Sequence, residues 1–529
     1  MASGAGTALR YWHTLRWLRP VQFYGRVWFR LYRPRPDLRQ APELLIPANP
    51  HWRPCARAAR MTGPASFHFL SVERQLASAA DWNRPDWPRL WLYNAHYFDD
   101  LVAEGAADRV VWHRELLARW IAENPPGQGT GWEPYPTSLR IVNWLKWLLA
   151  GNAPVPGMLH SLAVQTRWLQ RRLEHHLLGN HLWANAKALV FAGACFEGEE
   201  AQRWLQRGLE LMQRELREQV LADGGHFERS PMYHAILTED LLDLIQLAGQ
   251  GKAIAPGIAR AWRETARRML DWAATMAHPD GDIAFFNDAA LGIAPDLPAL
   301  QDYAAALGLE RPSADIPPLR LLAESGYARL SAGPAVLLAD VAPVGPDYLP
   351  GHAHADSLSF ELSLHGRRVL VNGGTSTYEA DAERLRQRGT AAHNTVVVEG
   401  QDSSEVWSAF RVARRARVHD IRVEQEVESL TLSAWHDGYL RLPGKVKHHR
   451  RWRLMADGLE VEDRLDGRFE SAEACFLLAP GAELAFRVEE GDARREPATW
   501  HPRFGESVPT ERLVVRFTGP RCRVRFFWS

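Results

Sequence analysis

Between about residues 65 and 315, apolar side chains recur at helical spacing. Leu205, Leu209, Met212, Leu216 and Val220 step by four, three, four and four, and Trp262, Met269, Ala273 and Met276 fall on one face in the same way. Residues three or four apart share a helix face, so each run predicts an amphipathic helix with one side buried. Short breaks rich in Gly, Pro and Asp separate the runs, as in NPPGQGTG (124–131) and LADGGHFERSP (221–231). Helices joined by such breaks predict hairpins assembled into a toroid or solenoid.

Past the Pro-rich joint RPSADIPPLR (311–320) the period shortens. SLSFELSLHGRRVLVNGG, NTVVVEG, ESLTLSAW and LEVEDRLDG are short alternating or apolar segments bounded by turn residues. They predict strands of an antiparallel β-sandwich. The expected organisation is thus α+β and multidomain: an N-terminal segment (1–60), a helical domain (61–315) and a β domain (316–529). At 529 residues the chain exceeds the ~250–300 that one core usually supports. Two cores imply a cleft between them, a favoured place for a ligand.

Residues 1–40 hold eight arginines against one acid, Asp37, interleaved with Trp12, Trp17, Tyr24, Trp28 and Tyr32. A basic aromatic helix suits a membrane surface or an anionic polymer. Pro20 interrupts the pattern, and the reading adopted is a helix that packs its aromatic side on the main domain.

Composition narrows the function. With 63 basic and 63 acidic residues the formal net charge is zero, which argues against a general polyanion binder and against nucleic acid as partner. Cys55, Cys195, Cys475 and Cys522 are far apart, so neither a disulfide framework nor a cysteine zinc site is expected. No run reaches the ~18 apolar residues of a transmembrane helix. Arginines break every apolar run near the N-terminus, no signal peptide is recognisable, and a cytoplasmic location is expected. Most of the 22 tryptophans are assigned to packing.

Several polar clusters are candidates for chemistry. GHAHADSLSF contains His352, His354 and Asp356; on a strand, residues two apart point the same way, so the two histidines would converge. VLVNGGTSTY adds Asn372, and GTAAHNTVVVEG adds His393 and Asn394. Imidazoles on neighbouring strands suit a divalent ion, zinc first, or leave one ring free as a base. In the helical half, LLGNHLWANAKAL offers Asn180 and His181, and GGHFERSPMYHAIL offers His226, Glu228, Tyr233 and His234. LYNAHYFDDL and GWEPYPTSLRIVNW supply Asn94, His96, Trp132, Tyr135 and Arg140. Aromatic rings stack on sugars and arginine forks hold acidic groups, so Asn94, His96, Trp132, Tyr135, Arg140 and Glu228 are candidate substrate contacts.

Taken in order, GNHLWANAKAL, GGHFERSPMYH, GHAHADSLSF, VLVNGGTSTY and TAAHNTVVVEGQD resemble the heparinase II/III-like polysaccharide lyases, from about residue 80 to 420. The resemblance implies an N-terminal (α/α) toroid followed by a C-terminal antiparallel β-sandwich. It also implies β-elimination on uronic-acid polysaccharides such as hyaluronan, chondroitin or heparan sulfate, with alginate or a bacterial exopolysaccharide as alternatives. The expected partner is therefore an acidic polysaccharide. By the same resemblance Asn180 holds the uronate carboxylate, and His181 shares carboxylate binding or proton transfer. Tyr233 is then the general acid, His352 the base, and His234 a less favoured alternative. His354 and His393 match metal ligands, while Asn372 stands where an aspartate is common; an amide is the poorer ligand, leaving Asp356 or water to complete the shell. The expected ion is zinc, with manganese or calcium as alternatives, and its expected role is to brace the sandwich. Two other readings stand beside this one. A glycoside hydrolase would use Glu228 with Asp223, or Asp282 with Asp288. A polysaccharide-binding protein would use the scaffold without turnover.

Overall fold

Helical periodicity resolves into a ring of helices in a computed structural model that describes residues 4–46, 51–251, 253–313 and 315–528. After α1 (Gly4–Leu15) and α2 (Pro20–Leu31) come α3 (Arg89–Tyr97), α4 (Val110–Glu123), α5 (Pro134–Leu149), α6 (Met158–Arg171) and α7 (Gly179–Cys195). The ring continues with α8 (Gly198–Gln219), α9 (Pro231–Gln250), α10 (Pro256–Met276) and α11 (Leu297–Ala306). Fully buried Trp120, Trp144, Trp147, Trp183 and Trp204 fill the space between them. Helices α7 and α8 approach closely because glycines face the contact: a Cβ on Gly193 would lie 2.3 Å from the Leu205 nitrogen. One stretch expected to be helical is a hairpin instead, Ser66–Phe69 (β1) with Val72–Gln75 (β2).

Strands begin at Leu319. A five-stranded antiparallel sheet runs in chain order through β3 (Leu319–Leu322), β4 (Tyr327–Ala332), β5 (Ala335–Asp340), β6 (Phe360–Leu364) and β7 (Arg367–Leu370). Helix α12 (Ala382–Arg388), β8 (Val396–Val398) and the small hairpin β9 (Val406–Trp407) and β10 (Arg411–Val412) follow. A six-stranded sheet is built from β11 (Val418–Gln425), β12 (Leu430–His436), β13 (Lys447–Met455), β14 (Gly458–Asp466), β19 (Arg521–Phe527) and β16 (Ala485–Glu490), in that order. β17 (Asp492–Trp500), β18 (Val508–Arg516), β15 (Ala472–Leu477) and β8 make a four-stranded sheet. Alternate residues of all three sheets, among them Leu337, Phe360, Trp452, Val461, Phe476 and Val515, meet in one core. A helical toroid followed by an antiparallel sandwich is the architecture the two periods announce.

The N-terminal helices depart from expectation. Their aromatic side faces solvent, with Trp12 and Trp28 62% and 61% exposed. Polar groups anchor them, Gln22 Nε2 donating to the Tyr348 carbonyl (3.0 Å) and Trp407 Nε1 to Thr14 Oγ1 (3.1 Å), beside ring contacts of Tyr11 with Trp407 and Phe29 with His176. Pro20 does not break a helix; it opens α2 at a first-turn position, where its missing N–H is not needed.

Candidate active site between the toroid and the sandwich

A cleft of about 660 Å³ is lined by α5, α7, α9, the 348–352 loop, Tyr378 and the 410–412 hairpin, so both halves of the chain form it. Its walls are set by local backbone. Leu178 (φ 66°) and Gly179 (φ 54°) turn the chain sharply into α7. A Cβ on Gly179 would lie 2.4 Å from Leu349 and 3.0 Å from Glu228 Oε1, so only glycine fits. The turn places Asn180 and His181 in the first helical turn, where free N–H groups and the helix dipole favour a negative ligand. His181 Nδ1 lies 3.1 Å from Glu174 Oε1, and Glu174 Oε2 accepts from Asn185 Nδ2 (3.1 Å). Burial disfavours the imidazolium, but the charge and hydrogen bond of Glu174 together with the nearby Glu228 and Glu133 outweigh it and raise the His181 pKa. The Tyr135 ring lies 4.6 Å from the His181 ring.

Across the cleft, Tyr233 and His352 stack with ring centroids 3.9 Å apart. Tyr233 stands in the first turn of α9, whose N-cap Ser230 accepts from the Tyr233 backbone N–H. The Tyr233 hydroxyl is 3.2 Å from that of Tyr378, and burial pushes both phenols well up. Burial opposes ionisation of Asp288 as well, yet Arg384, His352 and His354 hold its carboxyl well below the ordinary range. An ionised carboxylate only accepts, so the 2.9 Å contact fixes the proton of His352 on Nδ1 and leaves Nε2 as a lone pair. That nitrogen lies 3.6 Å from Glu228 Oε2, a carboxyl pushed up by burial whose Oε1 has no partner.

His352 and His354 do not share a strand face. They lie in the loop before β6, and each reaches a different oxygen of Asp288: His352 toward the cleft, His354 Nε2 inward at 2.8 Å. His354 Nδ1 then lies 3.1 Å from His393 Nε2, while His393 Nδ1 faces the Gly389 carbonyl at 2.9 Å. Asp288 and the carbonyl both accept, so each ring carries its proton on the outer nitrogen and two lone pairs face one another. Burial lowers both pKa values, His354 to about 4, which disfavours a proton between them. The contrast with His436 and His448 is instructive. His436 Nδ1 accepts from the Gly438 N–H, so its Nε2–H donates to His448 Nδ1 (3.0 Å), and that pair is complete as it stands. The His354–His393 pair fits a cation, with both outer nitrogens oriented as metal-bound histidines usually are. Asn372 is adjacent, its Oδ1 accepting from the Asn394 N–H (3.1 Å). Among the described residues no three His, Cys, Asp or Glu side chains gather to hold an ion.

Three expected substrate contacts are core residues instead. Arg140 is fully buried, donates to Gln165 Oε1 (2.9 Å) and stacks 3.9 Å over Trp120, and burial pulls its pKa well down. His96 accepts from Trp120 Nε1 and contacts the Trp82 carbonyl, and burial drops its pKa to about 3. Trp132 donates to the Asn124 carbonyl between Trp120 and Trp168. Asn94, Tyr135 and Glu228 do line the cleft. His234, bonded to the Met269 carbonyl, does not.

The sequence reading overlooked Tyr378, Glu174 and Arg384. Tyr378 ends the VLVNGGTSTY motif and could have been noticed there; Arg384 lies in no motif. Also unforeseen is the cleft floor, where Lys187 Nζ contacts Asp240 and Asp243 at 2.5 Å each. The hydrolase pairs fail on geometry: Asp223 binds Ser325 N and Oγ, Asp282 lies outside the cleft, and Asp288 is saturated by cations and donors.

Toroid, sandwich and a tyrosine–histidine cleft between them define a two-domain fold, a helical toroid followed by an antiparallel β-sandwich. The chain belongs to the heparinase II/III-like family: residues 115–304 match the profile "Heparinase II/III N-terminus" and residues 315–486 match "Heparinase II/III-like, C-terminal". A heparin-sulfate lyase of Bacteroides stercoris is 25% identical over 252 residues, 44% of this chain and 38% of the relative, so the match spans well under half of that protein. FtsZ-localized protein C of Caulobacter vibrioides is 29% identical over 462 residues, 82% of this chain and 73% of the relative. The crystal structure of heparinase III superposes with a TM-score of 0.62 at 18% identity, covering 87% of this chain and 78% of that one.

Proposed function

We propose that this protein is a polysaccharide lyase that cleaves uronic-acid polysaccharides, glycosaminoglycans foremost, by β-elimination. The observation that carries the reading is that the closely packed Tyr233 and His352 rings share one cleft with the α7 start bearing Asn180 and His181. Asn180 and the His181 imidazolium neutralise the uronate carboxylate, which makes the neighbouring C5 proton acidic enough to remove. His352 Nε2 takes that proton, and Asp288 steadies the imidazolium that forms. The C5–H electrons become the C4=C5 double bond, the C4–O bond breaks, and the Tyr233 hydroxyl protonates the departing oxygen. No water is consumed, and the product is an unsaturated uronate. A divalent ion between His354 and His393, with the Asn372 amide, would fix the loop that presents His352; it takes no part in the steps above.

A second reading is favoured by one relative. The protein aligned over 82% of this chain is named for its location with FtsZ and not for a lyase activity. On that reading the cleft binds an acidic polymer without cleaving it.

One experiment separates them: ultraviolet absorbance of the enzyme mixed with hyaluronan, chondroitin sulfate, heparan sulfate or alginate. A lyase produces the absorbance of the conjugated double bond. Tyr233→Phe should lower turnover by about 10²–10⁴-fold, the usual worth of a positioned proton carrier, and leave polymer binding intact. Binding without any absorbance on all four polymers selects the second reading, and full turnover in Tyr233→Phe removes that residue from the mechanism.

A further inference from the structure

Helices α1 and α2 carry their polarity the wrong way round for helices resting on a globular domain. In α1 the half-buried positions are Arg10, His13 and Thr14, while Leu9, Tyr11, Trp12 and Leu15 face solvent. In α2 Gln22 is buried and Gly25 fits against His176, where a Cβ would lie 3.0 Å from the histidine Cβ. The outward side of α2 is an apolar stripe, Tyr24, Val27, Trp28 and Leu31, at the i, i+3, i+4, i+7 spacing of one helix face. Leu31 is 78% exposed and Tyr24 64%. Ten of the 18 exposed large hydrophobic residues among those described fall between Leu9 and Leu38. A contiguous patch of this kind marks an interaction surface.

Its charge selects the partner. Arg10 and Arg19 turn inward to Glu405 and Glu218. Arg26 and Arg30 on α2, with Arg16 just past α1 and Arg33 just past α2, meet no carboxylate within ion-pair distance among the described residues. The one acidic residue in 1–40, Asp37, is held by Arg39. Beside α2 lies a groove of about 730 Å³ whose Arg171, Arg207 and Arg214 are each paired with an acid, so the free positive charge is on the N-terminal segment itself. A second copy of the chain docked by this face about a two-fold axis would set arginine against arginine. An acidic polysaccharide would satisfy the arginines and stack on the rings, but it has nothing for Leu9, Leu15, Val27 and Leu31. Aliphatic and aromatic side chains rimmed by arginine match one environment, the boundary between acyl chains and anionic headgroups.

We infer that α1 and α2 form a docking face for an anionic lipid bilayer. The apolar stripes enter the headgroup–acyl boundary and the free arginines hold lipid phosphates. Tyr11, Leu15 and Arg26 also line the active-site cleft, so docking sets the mouth of that cleft beside the bilayer. This inference stands whether or not the cleft is a lyase site.

The test is flotation of the full chain with vesicles of phosphatidylcholine and phosphatidylglycerol, and with vesicles of phosphatidylcholine alone, at low and high salt. The protein should float with the anionic vesicles, less at high salt, and little with the neutral ones. Arg16→Gln and Arg30→Gln should each weaken binding by about fivefold, the worth of one basic residue near an anionic surface. Trp12→Glu combined with Trp28→Glu should abolish it at an unchanged melting temperature, since both rings are exposed. Failure of the unmodified chain to float, or flotation undiminished in the tryptophan double variant, overturns the inference. So does a face whose loss costs only dimerisation, seen by sedimentation, or only retention on chondroitin sulfate.

Discussion

At the level of single side chains, the cleft separates two tasks that its chemistry must keep apart. Asn180 and His181 meet negative charge, while Tyr233 and His352 move a proton. His181 serves the first task because Glu174 raises its pKa against the pull of burial. The sign follows directly. A raised folded pKa means that the pair stabilises the protein fully below the unfolded histidine value, and that this contribution is lost as pH rises through the folded value. The same deprotonation removes a cation from the carboxylate site, so KM should climb with pH over that window. Glu174→Gln takes away the charge that raises the pKa and should move the climb to lower pH with little change in kcat on its acid side. KM against pH for the two forms checks this, and coincident profiles would show that His181 does not meet the carboxylate. The candidate residues that proved to be core, Arg140, His96 and Trp132, have the same types and motif setting as those that line the cleft. What differs is their partners: Gln165, Trp120 and Asn124 come from other parts of the chain, and nothing in a local motif signals that they are satisfied.

Secondary-structure elements were far more legible, because a repeat of 3.6 or of two along the chain is itself the burial pattern. Helices α8 and α10 and strands such as β13, with its alternating burial, follow it closely. Legibility failed where an element is held by polar anchors. The aromatic residues of α1 and α2 suggested a buried face, yet Gln22 and Thr14 make the attachment and the rings are left outside. It failed again at GHAHAD, whose alternation suggested a strand, although Asp288 draws its two histidines to opposite sides of a loop. The ion inferred at that loop gives an element-scale prediction. A ligand present at about a hundred times its Kd stabilises the folded state by ~2.7 kcal/mol, so chelation should lower the melting temperature and added zinc should restore it. Asn372→Asp supplies a charged oxygen in place of an amide and should make the protein harder to strip. Calorimetry with and without chelator decides the matter. Identical melting curves with chelator and with zinc would mean that the two histidines share a proton instead.

For the whole molecule, the decisive feature is that a carboxylate of one half orients the base presented by the other. Asp288 belongs to the loop that follows α10 in the helical half, yet its side chain accepts from His352, His354 and Arg384 of the β half. Arg384 and Asp288 are 96 residues apart and both fully buried, so neither has water to fall back on. A sequence can show that two cores exist and that a cleft lies between them; it cannot show that a single group from one core orients the base presented by the other. Asp288→Asn leaves the Arg384 guanidinium buried without its counter-charge, which typically costs about 3–5 kcal/mol. The loss should lower the melting temperature, although Asp223 with Ser325 and Glu361 with His278 still tie the halves together, and turnover should fall as His352 loses its carboxylate. Pairing the change with Arg384→Gln removes the stranded charge as well. The double variant should recover much of the stability, since no buried ion is left unpaired, while turnover stays low because His352 still lacks its carboxylate. Recovery of stability without recovery of rate is the outcome expected if Asp288 both joins the halves and orients the base. An unshifted melting temperature in Asp288→Asn would show that the buried Arg384 charge finds another partner.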